Sequence, residues 1–136
     1  MKKIAALIGA AALAWVGMAT ASGEHHGKAP LVPVDGSGVT GLVSVVQLPH
    51  GGANINVVAR GLAPGETYVS LYYDNHFCEL EPYAEDDVIG TYTANAAGVG
   101  TTHGKLDDDL TEINSISVRR AGDFELIACA DTHPGP

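Results

Sequence analysis

Basic residues are scarce in this chain: seven lysines and arginines stand against sixteen aspartates and glutamates, a formal charge of −9 over 136 residues. An acidic surface repels phosphate backbones and anionic headgroups, which argues against nucleic acid and charged lipid as partners. Long apolar runs are equally rare. The longest, Ile4 to Gly17, has 14 residues, short of the roughly 20 that span a bilayer. It follows Met1-Lys2-Lys3 and precedes Ala19-Thr20-Ala21, a pattern that predicts a secretory signal peptide over residues 1–21, cleaved after Ala21. Cleavage removes Trp15, Met1 and Met18, so the mature chain from Ser22 to Pro136 holds no tryptophan and no methionine. Its 115 residues suit one domain and carry five basic against sixteen acidic side chains, a formal charge of −11. The expected address is secreted or periplasmic, with no membrane insertion after cleavage.

Catalytic motifs are missing too. There is no Gly-x-Ser-x-Gly elbow and no phosphate-cradling Gly-Lys-Ser/Thr loop. None of the six histidines (His25, His26, His50, His76, His103 and His133) stands in the His-x-His or His-x-x-x-His spacing that aims two rings at one ion. Without methionine, and with its cysteines expected to pair, the mature chain does not suit a blue-copper site. Neither acidic run, Glu81–Asp87 or Asp107–Glu112, matches the Asp-x-Asp-x-Asp-Gly calcium loop, so both are expected as solvated loops. Cleavage one residue late, after Ser22, would leave Gly23-Glu24-His25 as a square-planar copper or nickel chelate; the Ala-x-Ala pattern favours Ala21.

What the chain does contain is short apolar stretches divided by turn residues. Residues 22–38 are rich in Gly, Pro, Ser and His without periodicity and are expected as a flexible arm. Residues 39–136 form the expected folded domain, with about seven short strands and no helical apolar stripe. Within Ala53–Gly61, Ala53, Ile55, Val57 and Ala59 alternate with polar Asn54, Asn56 and Arg60, the mark of one buried side. In "TYVSLYY" (Thr67 to Tyr73), Val69 and Leu71 are expected inside and Tyr68, Ser70 and Tyr72 outside. The expected fold class is an all-β antiparallel Greek-key barrel or sandwich. Two cysteines, Cys78 and Cys129, favour one disulfide in an oxidising compartment. It would close a loop of 50 intervening residues, a chain-entropy contribution of about 4 kcal/mol. The alternative is a thiolate metal ligand, with His76 two residues away.

Three segments carry a family likeness. "VTGLVSVVQ … NINVVARGLAPGETYVSLYYDNHFC", "GTYTANAAGVG" and "LIACAD" together resemble the copper/zinc superoxide dismutase family over most of Val39 to Asp131. The resemblance implies its Greek-key β-barrel and places Cys78 and Cys129 at its intradomain disulfide. It does not carry over the metal site. The paired copper histidines correspond to Ser70 and Tyr72, the late copper histidine to Arg119, and the zinc ligands roughly to Glu85 and Val88. The substrate-guiding arginine corresponds to Leu126. A hydroxyl, a phenol and a guanidinium cannot hold copper as imidazoles do.

The expectation is therefore a non-enzymatic binding or accessory protein without a cofactor. Ser70, Tyr72 and Arg119 are its expected binding face, meeting where the metal would have sat; tyrosine and arginine together suit stacking and hydrogen bonding to a ligand or protein. The alternative is a copper- or zinc-handling protein using loop histidines and acids, with His76 and His103 as first candidates.

Overall fold

The computed structural model describes residues 26–133. The expected signal peptide, its expected cleavage site and His25 lie outside them. Eight antiparallel strands follow in order: β1 (His26–Pro33), β2 (Thr40–Gln47), β3 (Ala53–Arg60), β4 (Thr67–Tyr73), β5 (Val88–Thr93), β6 (Val99–Leu106), β7 (Ser115–Arg120) and β8 (Leu126–Asp131). Two short 3-10 turns, Glu85–Asp87 and Leu110–Glu112, are the helical pieces of the described residues, and no described helix is long and apolar enough to cross a membrane.

The strands run β5-β4-β7-β8-β1-β2-β3-β6 across one sheet. The two end strands then come together and nearly close it into a barrel. The β3–β4 and β6–β7 connections pass over intervening strands, which is the Greek-key crossing. Where β5 meets β6 the strands are packed too closely for ordinary side chains. A Cβ on Gly104 would lie 2.5 Å from the Ile89 carbonyl oxygen, and one on Gly90 would collide with Thr102. Glycine is what lets this seam shut.

The core follows from period-two alternation. On β3, Ala53, Ile55, Val57 and Ala59 are all fully buried, as their spacing predicts. Val43 and Val45 of β2, Ile116 and Val118 of β7, and Ala128 and Ala130 of β8 meet them inside the barrel. Leu62, in the loop between β3 and β4, is also buried there, and its amide donates to the Gly98 carbonyl.

Two expectations need correction. The arm expected over residues 22–38 is ordered structure from His26: β1 pairs with β2 from His26 to Leu31 and with β8 at Val32 and Pro33. Its prolines hid it. Residues 26–31 have a partner on one side only, the setting in which a strand tolerates a missing N–H. Ala29 and Leu31 bury the apolar face. The faces of β4 are also reversed. Tyr68 and Tyr72 point into the main core, while Val69, Leu71 and Tyr73 form a second cluster with Cys78 on the opposite face.

Candidate functional site

The second cluster exists because the chain leaves β4 at Asp74 and returns to β5 only at Val88, lying over the outside of the sheet. Three devices fix this segment. First, Cys78 and Cys129 are bonded, with Cα atoms 5.9 Å apart, which settles the disulfide against the thiolate-ligand alternative. Second, Asn75 folds the segment on itself: its Oδ1 accepts from the amides of Phe77 and Glu79, and its Nδ2 donates to the Glu79 carbonyl. Ser115 adds a tie from β7, accepting from the Cys78 amide and donating to the Asn75 carbonyl.

The third device is Arg119, only 7% exposed. Its Nε donates to the Tyr73 hydroxyl at 2.8 Å, one terminal nitrogen to the Phe124 carbonyl at 2.7 Å and the other to the Cys78 carbonyl at 2.8 Å. The Tyr73 hydroxyl also shares a hydrogen bond with Ser117 Oγ at 2.8 Å. Cys78 and Phe124 both have left-handed backbones, with φ of 55° and 63°, a region that side chains other than glycine seldom occupy. Both of these residues give their carbonyls to the same guanidinium. Among the described residues Arg119 has no carboxylate partner, so carbonyl and phenol dipoles and the faces of Tyr73 and Phe124 carry its charge.

The expected face of Ser70, Tyr72 and Arg119 does not assemble. Arg119 pairs with Val69 across the strands and shares its side of the sheet, whereas Ser70 and Tyr72 face the barrel interior. Ser70 is fully buried and hydrogen-bonds the Tyr92 hydroxyl at 2.7 Å. Burial pushes the Tyr92 phenol up to about 12, against the lowering effect of that bond. The histidines are also kept apart. His76 Nδ1 lies 2.8 Å from Asp131, at the end of β8. His103 is exposed on β6, 2.7 Å from Asn56 of the neighbouring strand. Among the described residues, no three His, Cys, Asp or Glu side chains gather closely enough to hold a metal.

The two acidic runs behave differently. Asp109 accepts from Gln47 Nε2 at 3.0 Å and the Gly52 amide at 2.9 Å, so it anchors the β2–β3 turn. Those bonds hold its carboxyl below the usual range. Asp108 is shifted the other way, by partial desolvation and by the neighbouring carboxylates of Glu112 and Asp109. The run from Glu81 to Asp87 instead helps to line an open cavity of about 220 Å³ with Tyr72, Asp74 and Pro82. The same segment leaves apolar groups in solvent: Phe77 is 75% exposed, and Leu80 and Tyr83 are about half exposed. Tyr83 stacks on Phe124, with ring centroids 5.8 Å apart.

Sequence reasoning missed Tyr73, Ser117, Phe124 and the cavity. The polar residues Ser115, Ser117 and Arg119 alternating with Ile116 and Val118 were the available signal. No protein-family model matches the chain, and a search of curated proteins finds no match.

Proposed function

We propose that this is an exported, non-catalytic binding protein, secreted or periplasmic, whose working surface is the segment from Asp74 to Asp87. The observation that carries this reading is the fixation of that segment by Cys78–Cys129 and Arg119, while it leaves Phe77 75% exposed and contributes carboxylates to an open cavity. A fold that spends a disulfide and a buried guanidinium on one surface segment has pre-organised it, and pre-organisation is what a binding surface gains affinity from. The scaffold resembles copper/zinc superoxide dismutase, with Ser70, Tyr72 and Arg119 at the copper-ligand positions. Each of the three packs as part of a buried strand, and two of them hydrogen-bond within the protein. This use supports a scaffold turned from metal chemistry to display.

The test is site-specific photocrosslinking from position 77 in exporting cells. A discrete crosslinked product, lost when Phe77, Leu80 and Tyr83 are replaced by serine, is expected. Dialysis of the mature protein against copper(II) and zinc(II) supplies the opposing outcome. About one ion per chain, retained tightly and lost in His76→Ala or His103→Ala, would move the protein into metal handling instead.

A further inference from the structure

The cavity at the root of this segment has a chemistry of its own. It is lined by Asp74, just past β4, Glu81 and Pro82 in mid-segment, Asp87 before β5, and Tyr72 on β4. Three carboxylates thus face one concavity with no basic side chain among its lining residues. None of the three is in an ion pair among the described residues, whose salt bridges involve Asp131, Asp123 and Glu125. Two are held in place. Glu81 accepts from the Asp74 amide at 2.9 Å and from Asn75 Nδ2 at 3.3 Å, and Asp87 Oδ2 accepts from the Ala84 amide at 3.0 Å. Each carboxylate oxygen can accept more than one bond, so capacity remains.

Tyr72 is the second, independent feature. It is 9% exposed, yet its hydroxyl has no hydrogen-bond partner among the described residues, unlike those of Tyr68, Tyr73 and Tyr92. Every fully enclosed side-chain polar atom among the described residues is partnered. The Tyr72 hydroxyl is therefore not fully enclosed, and the residue lines the cavity. Buried tyrosines ordinarily find a partner for that group.

We propose that this cavity binds an organic cation of the guanidinium class. Negative charge without a counter-ion selects for positive charge. A cavity of about 220 Å³ is far larger than a bare ion, and its carboxylates do not gather as a chelating set. A guanidinium spreads five N–H donors over a rigid plane and so reaches separated carboxylates and the Tyr72 oxygen together. The exposed Phe77, Leu80 and Tyr83 of the same segment offer apolar surface to the carbon chain that carries it. The source is an arginine side chain of a protein partner or a free guanidinium compound. This inference rests on the reading of the segment as the working surface and names the group it recognises.

The test is calorimetric titration of the disulfide-bonded protein with agmatine, with an arginine-containing peptide and with calcium. Saturable binding of one agmatine per chain is expected, weakened at least tenfold in Asp87→Asn and about threefold or more in Tyr72→Phe, and unchanged in Asp107→Asn. Tighter binding of the peptide than of agmatine assigns the site to a protein partner, and the reverse order to a free compound; either supports the proposal. Thermal melts confirm that the variants fold; should Asp87→Asn not fold, Tyr72→Phe, which keeps the ring and removes only the hydroxyl, still tests the site. Absence of saturable agmatine binding, binding indifferent to both variants, or displacement of agmatine by stoichiometric calcium would each overturn it. Crosslinking from position 77 that survives such a failure leaves the binding-surface reading standing while removing the cation site.

Discussion

On β3 the residues that point away from the core, Asn54, Asn56, Val58 and Arg60, are half-buried or exposed, whereas on β4 the corresponding Val69, Leu71 and Tyr73 meet protein. The first half of the barrel, β1, β2, β3 and β6, is a sheet with one buried face. The second half, around β4, β7 and β8, is buried on both faces because the Asp74–Asp87 segment covers it. That cover is held by polar groups, Arg119, Tyr73, Ser115 and Ser117, and by the disulfide. The difference shows how a barrel of this size can carry a rigid surface feature: it places a second small core beneath it.

The largest expected effect is on the disulfide. Cys78→Ser with Cys129→Ser should lower stability by about 4 kcal/mol, read as a fall in Tm of about 4–8 °C per kcal/mol. An unchanged melting temperature would mean that the cover is held without it. Next come paired truncations that set the halves against each other. Leu71→Ala, outward on β4, should cost about 3 kcal/mol, as much as Ile55→Ala, inward on β3. A mild effect at Leu71 would show that the second cluster is not a core. Arg119→Met should cost about 2–3 kcal/mol, because two carbonyls and a phenol lose a donor; denaturant titration would read it, and a neutral result would make the guanidinium dispensable.

A pH effect of about 2–3 kcal/mol follows from Tyr92 on the inner face of β5. The Tyr92 phenol is raised from 10.0 to about 12 in the folded protein, so above pH 10 the unfolded chain releases a proton that the folded one keeps. Stability from this group is complete below pH 10 and is lost as pH rises toward 12. Tyr92→Phe should flatten that alkaline limb, and an unaltered limb would assign it to other groups. The smallest effect belongs to the open half: Val58→Thr, outward on β3, should stay within about 0.5 kcal/mol. A loss of several times that would mean this face is covered as well.

Much of the open half was legible in the sequence. Ala53, Ile55, Val57 and Ala59 alternate with polar partners, and that contrast fixes which side is inside. In "TYVSLYY" both alternating sets are uncharged, so period two defines two faces without saying which meets the core. The absence of any charged face was the clue that both are buried. The disulfide was readable because only two cysteines exist. Arg119 was not, because its partners Cys78 and Phe124 are distant or irregular in backbone, and left-handed conformations at non-glycine residues leave no trace in sequence. β1 was hidden by Pro30 and Pro33, residues ordinarily read as breakers.

The mount of the Asp74–Asp87 segment also has a history along the chain. Apart from Asn75 within it, the groups that tie it to the sheet come later: Ser115 and Arg119 on β7, Phe124 in the following turn, and Cys129 on β8, 51 positions after Cys78. A chain growing from its N-terminus therefore carries the segment without these later ties until the eighth described strand has been added. The mount of the segment is therefore complete only when the barrel itself is complete.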